Sequence, residues 1–302
     1  MLKHFLLASA LALAISPAQA QHTALRATIA HLAGESSAKV GVALRVLETN
    51  DTLSYHNRQH YPMLSVFKLA IAMQVLHEVD RGHLHLDQQQ LLTKTDLLGN
   101  THSPLRDKYP DGNVRVSIQE LLTYMVTLSD NNACDILLKL VGGPTALTAY
   151  VRRLGVQPFV AEVSEAKMGA VWANQYRNWS YPSTQVDLLA RVYYQTALSK
   201  TSSTLLWQLL LDTSVGPKRI KGLLPASTPV AHRTGTSGTN AQGLSPALND
   251  AGIIALPNGQ HVALTVFVAD SHADTAAREL LIATIARAVY DEFVPPPSPI
   301  TP

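Results

Sequence analysis

The sequence predicts an α/β (α+β) protein, with one antiparallel sheet assembled from both ends of the chain, terminal helices flanking it, and an all-helical domain inserted between its halves. Three observations predict this. Strand signals, which are apolar and β-branched runs bounded by turn residues, occur only at residues 40–56 and 229–268. Between residues 61 and 211 helical patterns with caps and stops follow one another. Helical patterns also stand at residues 25–34 and 274–293, outside the strand-bearing segments. With 302 residues, 46% hydrophobic and 15% charged, the chain can bury one large core or two smaller ones, which excludes a disordered composition. A formal net charge of +2 gives no pointer to nucleic acid or another polyanion.

The first residues come before the fold. Met1-Leu2-Lys3-His4, an apolar run from Phe5 to Ile15 and Ser16-Pro17-Ala18-Gln19-Ala20 follow the charged, apolar, small-residue order of a secretory leader cleaved near Ala20. The apolar run is too short to span a bilayer comfortably, no Cys follows it for lipidation, and no later stretch reaches spanning length. The expectation is a periplasmic protein, monomeric and without membrane attachment after cleavage. Cys134 is the one cysteine, so no intramolecular disulfide forms. It falls within an apolar helical pattern, as an inert core thiol does.

In chain order, Leu25, Ile29 and Leu32 mark a helix ending near Gly34. Residues 40–47 read as a strand, Asn50-Asp51 as its turn and residues 52–56 as the returning strand. Nearly every position from Val66 to Val79 is apolar, so the helix there is buried all round, and Gly82 ends it. Ser117-Ile118-Gln119-Glu120 is a capping box opening a helix through Val126. Residues 131–141 form another, stopped by Gly142-Gly143-Pro144. Further helices are predicted at 145–154, 184–196 and 203–211, and strands at 229–235, 252–256 and 261–268, the last two joined by a turn at Pro257-Asn258-Gly259. Residues 240–249, rich in Gly, Ser, Pro and Asn, read as a flexible rim. An amphipathic helix at 274–293 closes the fold. These elements divide the mature chain into a discontinuous α/β domain (21–60 and 212–293), a helical domain (61–211) and a disordered, Pro-rich tail (294–302).

The helix at 66–79 carries Ser65 and Lys68 into the interior. Three residues apart, they share one helical face, with the amine reaching back toward the hydroxyl. An ammonium in apolar surroundings loses proton affinity and can then act as a base, while the helix N-terminus offers free N–H groups for an oxyanion. A capping Ser with a snorkelling Lys is the bland alternative, because Ser-x-x-Lys recurs by chance. Three other segments add company. Ser129-Asp130-Asn131 connects two helices and is also a good N-cap sequence. His232-Arg233-Thr234-Gly235-Thr236-Ser237-Gly238 runs along a strand, and its cation and hydroxyls offer an anion-binding edge. The irregular segment 157–182, packed by its own aromatic residues, carries Glu165, and a Glu held in such a loop can act as a general base on water.

Together and in this order, Ser65/Lys68, Ser129-Asp130-Asn131, Glu165 and Arg233-Thr234-Gly235 resemble the class A serine β-lactamases, whose set is Ser-x-x-Lys, Ser-Asp-Asn, an omega-loop Glu and Lys-Thr-Gly. Glu165-Ala166-x-Met168, Asn178-Trp179, Ala133-Cys134-Asp135 and Gly235-Thr236-Ser237-Gly238 resemble the PER- and VEB-type extended-spectrum branch. The resemblance covers the mature chain to about Phe293. It implies the serine β-lactamase/D,D-peptidase-like fold and hydrolysis of penicillins and cephalosporins through a serine acyl-enzyme. Ser65 is then the nucleophile, with the N–H groups of Ser65 and Thr236 as oxyanion hole. Lys68 is a candidate acylation base, directly or with Glu165 through water, and Ser129 passes a proton to the lactam nitrogen. Asn131 binds the substrate's side-chain amide, Arg233, Thr234, Gly235 and Thr236 line the carboxylate subsite, Arg219 is a second carboxylate ligand, and Glu165 activates the deacylating water.

Several positions depart from the pattern. Arg233 replaces the usual Lys, and Gly169 stands where an Asn commonly helps to position water, so its presence slows deacylation or widens the site. His102 falls near an aromatic position at the site entrance, and Leu64 and Ser237 stand where some relatives carry a disulfide. His83-Leu84-His85-Leu86-Asp87 approaches a zinc motif, but Gln88 replaces the last His and no further ligand set follows. No cofactor or metal is implied. A D,D-peptidase or other penicillin-binding protein, or a sensor that stays acylated, is the alternative; neither would need Glu165.

Overall fold

The computed structural model describes residues 22–294, so the leader and residues 295–302 of the expected tail lie outside the described residues. Helix α1 (Thr23–Glu35) leads into strands β1 (Lys39–Val46), β2 (Thr52–Tyr55) and β3 (Tyr61–Pro62), then a 3-10 turn (Leu64–Phe67) and α2 (Lys68–Asp80). Next come β4 (Gln89–Leu92), α3 (Pro104–Lys108), β5 (Val114–Ser117), α4 (Ile118–Thr127), α5 (Asn131–Leu140) and α6 (Gly143–Arg153). The chain continues with β6 (Phe159–Val160), α7 (Glu165–Ala170), a 3-10 turn (Trp172–Tyr176), β7 (Trp179–Ser180), α8 (Pro182–Tyr193) and α9 (Lys200–Leu211). It closes with β8 (Val230–Thr236), β9 (Ser245–Ala255), β10 (His261–Ser271) and α10 (Thr275–Phe293).

Five strands form the antiparallel sheet, in the order β2-β1-β10-β9-β8. Side chains alternate faces along each strand, and both faces are covered. On one face Val42 and Leu44 of β1 and Leu264, Val266 and Val268 of β10 pack with Leu25 and Ile29 of α1 and Ile282 and Val289 of α10. On the other, Ala43, Ala251, Ala263 and Phe267 meet Tyr61, Phe67 and the helices around α2. The small alanines on that second face leave room for a helical layer. Helix α2 is its axis: every residue from Lys68 to Leu76 is buried, as the nearly unbroken apolar run requires.

Several expectations are corrected. Segment 61–211 is not purely helical, since β3, β7 and β6 form a small sheet and β4 pairs with β5. Strands β3, β6 and β7 have two residues each, too few to show a period. Strand β9 begins at Ser245 rather than Gly252, and the flexible rim contracts to a turn at 240–244. There Asn240 Oδ1 accepts from the backbone N–H groups of Gln242 and Leu244. The capping box is half made: Ser117 Oγ accepts from Glu120 N, but the Glu120 carboxylate turns to Lys108 and Tyr109. Gly142, at φ 91°, stops α5, whereas Gly143 and Pro144 open α6. Among the described residues no single helix is long and apolar enough to cross a membrane.

Candidate active site

The segment that carries Ser65 is held from two sides. Asn249 donates its side-chain amide to Pro62 O (2.7 Å) and Met63 O (3.2 Å). Gly235 of β8 lies so near that a Cβ there would fall 2.4 Å from Met63 O, so the strand can pass this close only without a side chain. Leu64, buried at φ 45°, occupies the left-handed region where a branched side chain costs about 1–2 kcal/mol. Ser65 follows it directly, on a 3-10 turn instead of the first turn of an α-helix.

Lys68 is fully buried, and its Nζ approaches four acceptors: Asn131 Oδ1 (2.5 Å), Ser129 O (2.8 Å), Glu165 Oε1 (2.9 Å) and Ser129 Oγ (3.4 Å). The direct contact with Ser65 that helical spacing predicts is not made among the described residues. Ser65 Oγ instead donates to Glu165 Oε1 at 3.2 Å, so this one carboxylate oxygen lies between the hydroxyl and the amine. The cause is the wall opposite α2, which draws the amine toward Ser129 and Asn131.

That wall is fixed by Asp130. Its buried carboxylate accepts from Ser103 Oγ, Leu105 N and Ala133 N, which caps α5 and ties it to the start of α3. Ser129, just before it, is turned into the left-handed region at φ 61°. Glu165 is placed by a second carboxylate. Asp135, one turn into α5, accepts from Glu165 N (2.7 Å) and Ala166 N (2.8 Å) at the start of α7. Burial raises the Asp135 carboxyl above its ordinary range, against these two N–H donors. Farther along the loop, Asn178 accepts from Glu162 N and Val163 N and donates to Val163 O, which closes the loop on itself.

The facing wall is β8. Arg233 is fully buried, and its Nη2 donates to Ser129 Oγ, while Nε and Nη1 have no partner among the described residues. Burial pushes the guanidinium pKa down to about 10, opposed by the attraction of Glu165. Thr234 is buried and Thr236 exposed. Behind them Arg219 is 4% exposed and already committed: it donates to Gly235 O, Asn249 O and Thr236 Oγ1 and pairs with Glu279. Contrary to expectation it offers no free fork to an anion, because these acceptors consume it, and it reaches the cleft through Thr236.

An amine, two hydroxyls and a carboxylate within hydrogen-bond reach, facing a buried guanidinium, can carry out acyl transfer with proton relay. A family model of the β-lactamase enzyme family matches residues 24–293. The chain belongs to this family. Extended-spectrum β-lactamase PER-1 of Pseudomonas aeruginosa is 41% identical over 271 residues, 90% of this chain and 88% of that one. β-Lactamase VEB-1 of the same organism is 38% identical over 277 residues, 91% and 92% of the two chains. The structure of a class A β-lactamase from Bacteroides cellulosilyticus superposes with a TM-score of 0.85 at 37% identity, covering 89% of this chain and 96% of that one. The fold is therefore the serine β-lactamase fold, and the enzyme is a class A β-lactamase related to the PER and VEB types.

The β-lactamase carries a cleft of about 340 Å³, lined by Asn131, Glu165, Thr236 and Gly238 and by residues that sequence reasoning had given no part in it: Thr101, Trp172 and Gln175. Thr101 stands here in place of His102, whose ring turns to Leu128 O. Both Asn131 side-chain ends are engaged, by Lys68 and by Thr101 Oγ1 (2.7 Å). Asp135 and Asn178 were visible only as parts of the resemblance, and no spacing rule marks a carboxylate that serves backbone donors thirty residues away. Cys134 is fully buried and burial pushes its thiol well up, as a core position predicts. Among the described residues no group of three or more His, Cys, Asp or Glu is placed to hold a metal ion, and His83 pairs with Glu78.

Proposed function

We propose that this β-lactamase opens penicillins and cephalosporins through an ester on Ser65, with Glu165 as base in both half-reactions. The observation that carries this reading is the single oxygen, Glu165 Oε1, placed 3.2 Å from Ser65 Oγ and 2.9 Å from Lys68 Nζ. In acylation Ser65 Oγ adds to the lactam carbonyl carbon and its proton passes to Glu165. The ring C–N bond breaks as the nitrogen takes the Ser129 proton, and Lys68 replaces that proton from its ammonium. Transfer from Glu165 to Lys68 resets the pair. In deacylation Glu165 takes a proton from water as the oxygen attacks the ester, then returns it to the departing Ser65 Oγ. The net change is addition of one water across the lactam bond.

The N–H groups of Ser65 and Thr236 serve as the oxyanion hole. Arg233, Thr234 and Thr236 hold the substrate carboxylate, with Gly235 admitting the close approach of the strand and Arg219 fixing Thr236. Asn131 trades its bond with Thr101 for one to the substrate's amide. The sheet with its terminal helices forms one unit of the enzyme and residues 61–211 the other. The leader pattern places the enzyme in the periplasm, with resistance to β-lactams as its consequence.

Purified protein should release many equivalents of product from a chromogenic cephalosporin, and Ser65→Ala should abolish both turnover and labelling by a fluorescent penicillin. Release that stops at one equivalent would make the protein a penicillin-binding sensor or peptidase. An extended spectrum follows from the relatives' activity and from a mouth where Gly169 and Gly238 add no side chain and have open space around them. Catalytic efficiency toward cefotaxime or ceftazidime should lie within about a hundredfold of that toward a simple cephalosporin, about 2.7 kcal/mol in transition-state stabilisation. A gap above about a thousandfold would show a narrow site.

A further inference from the structure

A second cavity, of about 370 Å³, lies where the C-terminal end of α8, the first two turns of α9 and the start of β10 meet. It is remote from the cleft. Its His261 stands six residues before Phe267, which pairs with Asn249 behind the nucleophile segment, a distance of about 20 Å along the strand. Three inclined rings line it. Tyr193 and His261 are 4.8 Å apart between centroids at 44°, Tyr193 and Trp207 6.1 Å at 57°, and Trp207 and His261 6.4 Å at 66°. None of the lining residues is a Lys or Arg.

Two features set this apart from aromatic packing. Behind the rings, Glu48 Oε1 accepts the Tyr193 hydroxyl proton (2.8 Å) and lies 2.9 Å from His261 Nδ1, while Glu48 Oε2 accepts from His261 N. This places a negative charge next to the cage and draws the phenol proton outward, which makes the Tyr193 face more attractive to a cation. Ser203 also lines the cavity, one helical turn from Trp207. It is 2% exposed, and its Oγ has no hydrogen-bond partner among the described residues. A buried hydroxyl without a partner costs free energy that a bound polar group can recover.

We propose that this cavity binds a small quaternary ammonium alcohol, with the methylated cation among Tyr193, Trp207 and His261 and the hydroxyl on Ser203. The ligand class follows from the parts. The rings and Glu48 favour a cation, the half-buried aromatic surface favours one sheathed in methyl groups, and Ser203 asks for one polar group a few atoms away.

The test uses the whole mature enzyme, with choline and its neutral isostere 3,3-dimethylbutan-1-ol as probes, followed by chemical-shift titration. Choline should bind about tenfold more tightly than the isostere, within the range that cation–π attraction spans. Glu48→Gln should erode that preference without changing the isostere's affinity, and Trp207→Leu should remove choline binding. Ser203→Ala, a small change suited to retaining the fold, should abolish the preference for choline over tetramethylammonium. Hydrolysis of a chromogenic cephalosporin should stay within about twofold in all three variants. Equal affinity for choline and the isostere would overturn the proposal, as would choline shifts that spare residues 193, 203, 207 and 261.

Discussion

On the helical wall of the proposed catalytic cleft, the buried Lys68 ammonium finds four acceptors, and Glu165 answers its charge at 2.9 Å. On the strand wall that pairing is not repeated: the equally buried Arg233 has one hydrogen bond, to Ser129, and two donor nitrogens without partners among the described residues. The difference teaches how one cleft divides its work. A network that satisfies itself keeps proton donors and acceptors in register before substrate arrives. A cation left short of partners is a standing cost to the fold, and an arriving carboxylate removes that cost. Removing the cation should therefore change stability in opposite senses on the two walls, while activity falls on both.

Lys68→Met attacks the satisfied wall. It strands Glu165 as an unpaired buried charge, so the variant should lose about 3 kcal/mol of stability together with about 10³-fold in kcat/KM. Urea unfolding and steady-state kinetics on one preparation check both, and full stability would mean that Glu165 is not held by this pair. Arg233→Met attacks the other wall. It should cost about 10²-fold in kcat/KM, mostly through KM, while leaving the fold unchanged or about 1–2 kcal/mol more stable. A marked loss of stability would show that Arg233 is a structural ion and erase the contrast.

Asp135→Asn gives the smallest effect and sharpens the picture of how Glu165 is held. The Asp135 carboxyl is raised by burial, so between its unfolded value near 3.8 and its higher folded value the folded state holds more protons. The stability that this group contributes is thus complete below the unfolded value and declines as pH rises toward the folded one. Asn does not titrate, so the stability of wild type minus variant should fall across that acidic interval and level off above it. Denaturant titrations at several pH values measure this. A difference independent of pH would mean that Asp135 keeps an ordinary carboxyl pKa.

What the sequence made legible follows from length and period. Helix α2 was plain because thirteen residues of nearly unbroken apolar character allow one environment. The start of β9 was hidden because Asn249 and Asp250 look like turn residues. Inside the sheet they have buried tasks: Asn249 holds the nucleophile segment, and Asp250 pairs with His232 and accepts from Ile220 N. In the site, Ser65, Lys68, Ser129, Asn131, Glu165 and Arg233 were found as motifs and lie together. The contact between Ser65 and Lys68 was misread, because helix geometry gives the spacing of two side chains but not the competing acceptors that a third segment brings. Thr101 and Gln175 carry no local signal, and Asp135 carries only its place in a motif, since their parts depend on which loops the fold sets side by side.

The proposed service of Glu165 to the Ser65 ester in both directions is measured most directly by mass spectrometry of Glu165→Ala mixed with a penicillin. The variant should acquire one substrate mass slowly, by about 10²-fold relative to the native enzyme, because one base is missing from acylation. That adduct should then persist, because the base proposed to activate water against it is gone. An adduct that is lost at the native rate would contradict the claim and remove Glu165 from the chemistry.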